Sequence, residues 1–340
     1  VVPEATAWTL PAHKWKWRMR GAALDFAGRF ADEDPGCNAI FASTMTNVAD
    51  LRALLPRGRA DVPIIAYFHE NQLTYPVQEV DPRDHHFAWT NAISALAADR
   101  VVWNSAHNRD SFLEALRGLL RKMPDARPHW IVDAIAARSQ ILPVPIDDAA
   151  IEADTADVRR EGPCHIVWNH RWEHDKGPEA LLALVRTLVA RDLDFRLSIL
   201  GERFDTRVAA MDELREVAGH RLATWGFVES RSAYHRQLAR ADVALSTARH
   251  EFQGLAVLEA AMAGAVPLVP DDLAYPEIWP AEWRYRDEAD LVAHVTARIE
   301  DVERWRGVDP RPPARAYGWT RRLEEWKALF RLSCASTRHD

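Results

Sequence analysis

Apolar residues along the chain follow two alternating spacings. Short runs rich in β-branched or aromatic residues are each followed by a stretch in which apolar positions return every third or fourth residue. In the first half the runs Ala5–Leu10, Asn38–Ala42, Pro63–His69, Arg100–Asn104 and Gln140–Pro143 read as strands. In the second half the same reading falls on His165–Asn169, Phe195–Leu200, Ala223–Phe227, Val243–Ser246 and Val266–Val269. Helical spacing covers Met19–Phe30, His85–Ala98 and Ala106–Leu120, and Leu323, Trp326 and Phe330 mark a closing helix over Trp319–Leu332. The alternation predicts an α/β fold with parallel sheets. Between the halves, Leu142-Pro-Val-Pro-Ile-Asp147 has two prolines that fix φ and block helix, so a boundary is expected there. The domains expected are 1–145, 146–318 and a helix over 319–340 that crosses back to the first.

With 340 residues, 48% hydrophobic and 27% charged, the chain has enough apolar material for two cores. A net charge of −7 excludes a protein coated in positive potential, so any nucleic acid must meet a local patch. Cys37, Cys164 and Cys334 are too far apart for a zinc knuckle or a redox pair, and their odd number suits no disulfide framework. A reducing, cytoplasmic location is expected. No apolar run approaches the roughly 18 residues of a membrane span and no signal peptide opens the chain, so no membrane partner is expected.

The most informative stretch is Arg249-His-Glu-Phe-Gln-Gly-Leu-Ala-Val-Leu-Glu259, continuing to Val269. A strand ends near Ser246, a loop carries Glu251, and Gly254-Leu255 opens an apolar helix holding Glu259. Free amides and the positive end of that helix suit an anion, phosphate above all. The two carboxylates are expected on the order of 10 Å apart at 1.5 Å per helical residue, suiting opposite ends of an elongated ligand. A second stretch, Trp168-Asn-His-Arg-Trp-Glu-His-Asp-Lys-Gly-Pro178, places Arg171 and Lys176 five apart in a loop after a strand.

Together these stretches resemble the E-x7-E and Arg/Lys segments of the retaining GT-B glycosyltransferases, which have two Rossmann-like domains facing across a cleft. A narrower resemblance, to the tRNA-queuosine α-mannosyltransferases within that superfamily, is carried by Ala66-Tyr-Phe-His-Glu-Asn-Gln-Leu-Thr-Tyr-Pro-Val77, by His13-Lys-Trp-Lys-Trp-Arg-Met-Arg-Gly21 and by Trp168–Lys176. The resemblance implies transfer of mannose from GDP-mannose to the queuosine base of a tRNA anticodon, with the anomeric configuration retained. It implies that Arg171, Lys176 and the Gly254-Leu255 amides hold the donor diphosphate and that Glu259 binds the ribose. Glu251 would bind the sugar hydroxyls, and Phe227 and Val228, after Trp225-Gly226, would lie beside the base. His69 would act at the reacting centre, while Glu70, Asn71 and Gln72 shape the acceptor side. Family members open with a strand and a glycine-rich loop; no glycine pair precedes Gly21, so both are expected to be missing here.

In Lys14, Trp15, Lys16, Trp17, Arg18 and Arg20, cations alternate with indoles and no acid interrupts them, which suits tRNA phosphates and unpaired bases. The bland alternative is a half-buried segment with one indole in the core. No cofactor beyond the nucleotide sugar is expected, and no metal. Asp32-Glu-Asp34 and Asp192-Leu-Asp194 read as solvated turns, His85-His86 lacks a second ligand pair, and Leu73 spoils a zinc-protease reading of His69-Glu70. Two alternatives stay open at this point: a polysaccharide, lipid-linked or small-molecule acceptor, and a non-catalytic module that binds nucleotide sugar or RNA.

Overall fold

The computed structural model describes residues 5–11, 14–33, 36–76, 85–202 and 208–335; His13, Asp34, Val77 and Asp84 lie outside them. The chain divides into two compact units, one formed by Val1–Val144 with Leu323–Asp340 and the other by Pro145–Arg322. Among the described residues no helix is long and apolar enough to cross a membrane.

The first unit is built on four parallel strands, β1 (Ile40–Ser43), β2 (Ile64–Phe68), β3 (Arg100–Trp103) and β4 (Ser139–Ile141), paired in chain order. All five residues of β2 are buried, as a parallel strand covered on both faces requires. On one face Phe68 packs on Trp103 and Phe112 with ring centroids 4.2 and 5.7 Å apart. On the other, Phe41 and Tyr67 meet Trp326 and Phe330 of the last helix, Trp319–Ala335. Trp326 Nε1 also donates to the Pro143 carbonyl at 3.1 Å. Ser105 caps the helix Ala106–Lys122 by accepting from the Asn108 amide at 2.9 Å.

One expected strand is absent. Ala5–Leu10 makes no ladder: its alanines and threonines are exposed, and its one anchored ring, Trp8, packs edge-on to Phe30 at 4.8 Å. With so little apolar surface to bury, the segment gains nothing from pairing.

The second unit has six parallel strands: β5 (Cys164–Asn169), β6 (Phe195–Leu200), β7 (Leu222–Gly226), β8 (Val243–Leu245), β9 (Val266–Pro270) and β10 (Arg284–Tyr285). Their order is β10-β9-β8-β5-β6-β7, so chain progression reverses between β5 and β8. Alternate residues of β5 feed two cores. Ile166 and Trp168 join the helix Pro178–Ala190 on one face, and Val167 joins the helices Arg231–Ala239 and Leu255–Ala263 on the other. In open parallel sheets ligands bind beyond the carboxyl ends of the strands at such a reversal. The loops leaving β5 and β8 both rise there.

Candidate functional site

Gly177 and Gly201 bring the second unit's loops together. Gly177 has φ +65° and a Cβ there would lie 2.0 Å from the Thr247 carbonyl oxygen; Gly201 has φ +131° and would place one 2.0 Å from that of His170. No side chain fits at either point. The approach seats Lys176 against residues 75 positions later in the chain. Lys176 Nζ lies 3.0 Å from Asp175 Oδ2, donates to the His250 carbonyl at 3.0 Å and reaches Glu251 Oε2 at 3.4 Å. Glu251 Oε1 in turn accepts the Phe252 and Gln253 amides at 3.0 and 3.3 Å.

The electrostatics follow from this clamp. Burial alone would raise the Glu251 pKa, but the Lys176 charge and the loop amides outweigh it and hold the carboxyl below its usual value. Burial would likewise lower that of Lys176, but Glu251 and Asp175 reverse the sign. His170 is fully enclosed; desolvation, reinforced by Lys176, lowers its pKa to about 4, so it is a neutral imidazole. All three N–H bonds of Lys176 are engaged, so it does not stand free for a diphosphate as the motif suggests. Glu251 is the longest of the three contacts.

Beside the clamp, Gly254 opens the helix Leu255–Ala263 with φ +78°, its Cα turned against the Tyr275 ring. That helix start carries no capping side chain and no acid in its first turn. Glu259, one turn on, has Oε1 paired with Arg231 at 2.6 Å and Oε2 accepting from Tyr234 Oη at 3.1 Å. Arg171, half exposed, pairs with Glu173 at 3.1 Å. Phe227 leaves β7 with 65% of its surface exposed, while Val228 is half-buried against the edge of the core.

In the first unit the ends of β1, β2 and β3 carry Thr44, His69 and Asn104. Burial lowers the His69 pKa, partly offset by the backbone at Tyr67, and Thr44 Oγ1 lies 3.4 Å from its Nδ1. Asn71 is wholly buried: its Oδ1 accepts the Leu73 and Thr74 amides at 3.1 and 2.9 Å and its Nδ2 donates to Asn108 at 2.8 Å. It therefore braces the loop from beneath and does not itself face an acceptor. Gln72 donates to Glu70 at 2.9 Å, and its amide is held by Asn91 at 2.8 Å. Asn91, Asn104 and Asn108 complete this buried network, yet no motif in the sequence points to them.

The basic segment is not extended. Lys14, at φ +56°, turns the chain into the helix Trp15–Glu33, so its residues follow helical spacing. Lys16 and Arg20 lie over the Phe87 ring at 5.9 and 5.1 Å, beside Trp15, whereas Arg18 reaches the Pro11 carbonyl at 3.2 Å. Trp15 and Trp17 remain 42% and 63% exposed, so neither belongs to the core. Asp192 stands in a left-handed turn with its side chain fully exposed, as a solvated turn requires.

A model of the tRNA-queuosine alpha-mannosyltransferase N-terminal domain matches residues 1–146, and one of family 4 glycosyltransferases in conflict systems matches 135–273. The tRNA-queuosine alpha-mannosyltransferase of Drosophila melanogaster is 39% identical over 289 residues, covering 83% of this chain and 76% of its own. The chain belongs to this family of glycosyltransferases. Among solved structures, sucrose-phosphate synthase from Thermosynechococcus elongatus superposes with a TM-score of 0.70 at 16% identity, over 98% of this chain and 82% of that one. An α,α-trehalose-phosphate synthase from Burkholderia vietnamiensis gives 0.68 at 14%, over 96% and 78%. The two sheets described above are thus those of a GT-B fold. Lys176, Glu251 and Glu259 are residues that the sequence reading singles out; Asn169, His170 and Asp175 stand inside the same stretch as Lys176 but look like ordinary loop polarity and are given no role there, and Tyr234 and Arg231 lie outside every motif.

Proposed function

We propose that this glycosyltransferase moves mannose from GDP-mannose to the queuosine base of a tRNA anticodon. The acceptor and sugar follow from what its Drosophila relative is named for, and the nucleotide follows from the resemblance of its motifs. The observation that carries the reading is the buried clamp of Lys176 between Asp175 and Glu251, beside a helix start with no cap. It is a preorganised cation and amide array where a diphosphate would gain charge. In the proposed step the bond between the anomeric carbon and the phosphate oxygen breaks while the acceptor hydroxyl oxygen bonds to that carbon. The hydroxyl proton passes to the departing phosphate oxygen on the same face, so configuration is retained and GDP leaves. Arg171, Lys176 and the amides at Gly254-Leu255 stabilise the departing charge, Glu251 orients the sugar and Glu259 the ribose. The exposed cations and indoles at the start of the helix Trp15–Glu33 suit the RNA.

The test is nucleoside mass analysis of queuosine-containing tRNA incubated with the full chain and GDP-mannose. A new nucleoside heavier than queuosine by one hexose residue is expected. Unmodified queuosine, with transfer to a polysaccharide or lipid-linked acceptor instead, would overturn the acceptor; transfer from a UDP-sugar alone would overturn the donor.

A further inference from the structure

Glu259 is held by a hydrogen-bond chain whose direction is fixed throughout. It begins at the carboxyl end of β5, where Asn169 is buried. Asn169 Nδ2 donates to the Ala256 carbonyl at 2.8 Å and to Tyr234 Oη at 3.0 Å. A carbonyl only accepts, so the Ala256 contact fixes which end of the amide is nitrogen, and both of its hydrogens are then spent. Tyr234 Oη, having accepted from Asn169, has one hydrogen left to give. It gives it to Glu259 Oε2 at 3.1 Å. The phenol stays protonated, because burial, the neighbouring Glu259 charge and its bond to that carboxylate raise its pKa well above the ordinary value. The opposite carboxylate oxygen is held differently, by Arg231, whose side chain is 63% exposed and stands on the first residue of its helix. One partner of Glu259 is therefore fixed and buried, and the other is long, solvated and exchangeable.

We propose that Tyr234 is a positioning residue for the donor: fed by Asn169, it pins Glu259 Oε2 so that the carboxylate's remaining lone pairs are aimed at the ribose hydroxyls, and Arg231 is the partner that ribose displaces. The inference rests on the reading of Glu259 as the ribose ligand. A fixed acceptor binds a diol better than a freely rotating one, because its orientation is settled before the ligand arrives. An interaction made equally in ground and transition states changes KM and leaves kcat alone.

The test compares GDP with 2′,3′-dideoxy-GDP by calorimetric titration of the full chain, as wild type, Tyr234→Phe and Glu259→Gln. Tyr234→Phe removes one oxygen and is expected to weaken GDP about five- to tenfold while changing the dideoxy nucleotide less than twofold, with KM for the donor raised and kcat kept. Equal weakening of both nucleotides by Tyr234→Phe would reduce Tyr234 to a structural prop and overturn the proposal, as would no weakening of either. If Glu259→Gln weakens both nucleotides alike, the ribose reading itself fails and the proposal with it. The thermal midpoint of Tyr234→Phe, expected within a few degrees of wild type, separates loss of fold from loss of aim.

Discussion

Replacing Lys176 by Met tests the clamp at its centre. The substitution keeps the hydrocarbon stem and removes the ammonium from between two carboxylates whose side chains are 8% and 18% exposed. At 3.4 Å and an effective dielectric near 20, attraction to Glu251 alone is about 5 kcal/mol before desolvation offsets it. Leaving buried carboxylates without their cation costs about 3–5 kcal/mol. For a unit of this size, near 150–250 residues, that lowers the melting temperature by roughly 6–20 °C. The motif alone gives no reason for Lys176 to be structural; its burial does. Calorimetry of Lys176→Met, Glu251→Gln and the double variant decides. Glu251→Gln is expected to cost about 1–2 kcal/mol, and the double variant less than the two combined, by at least about 1 kcal/mol, because loss of Lys176 then leaves Asp175 alone without its cation. Additivity within about 0.5 kcal/mol would refute a coupled buried pair.

Stability of the second unit should fall with acid. The pKa values of His165 and His170 are lowered to about 4 chiefly by burial, so unfolding takes up protons between the ordinary histidine value of 6.5 and 4; stability is kept above pH 6.5 and lost downwards. Glu251 adds a loss below about 4.5, and a urea midpoint flat from pH 7 to 4 would contradict both. Transfer is expected to persist in EDTA, since among the described residues no cluster of three His, Cys, Asp or Glu side chains could hold a metal; rescue of a chelated enzyme by magnesium or manganese would reverse that expectation. Replacing Lys14, Lys16 and Arg18 by Ser should weaken tRNA binding and flatten its salt dependence while GDP affinity is unchanged; an unaltered salt slope moves the RNA elsewhere. Gly177→Ala should lower the melting temperature of the second unit by several degrees and weaken GDP binding, because its Cβ meets the Thr247 carbonyl; a wild-type melting curve would deny the close approach.

Much of the fold was legible where burial is complete. Phe195–Leu200 emerges as β6 to the residue, and His165–Asn169 falls short of β5 by one, because a doubly covered parallel strand writes itself as a continuous apolar run. The two-residue β10 and the helix Trp130–Ala137 leave too short a trace for periodicity to register. Ala5–Leu10 carries strand-forming residue types but no partner, which composition cannot reveal. In the site, the identities of Lys176, Glu251 and Glu259 were legible as a motif. Their bonding was not. That Lys176 is saturated, that Asn71 is buried and that Tyr234 grips Glu259 all depend on residues brought together by the sheet.

The pairing of Lys176 with Glu251 across 75 residues has a kinetic side. Closing a flexible loop of that length costs about 4 kcal/mol of chain entropy, so the clamp closes only after β5 and β8 have found each other. A partly folded form in which β8 is still unpaired therefore lacks the clamp. Under the proposed function GDP would discriminate among folding states: at a hundredfold excess over its dissociation constant it would add about 2.7 kcal/mol to the folded unit and nothing to its precursors. Hydrogen exchange with and without nucleotide would then slow along both strands together, including amides far from the ligand.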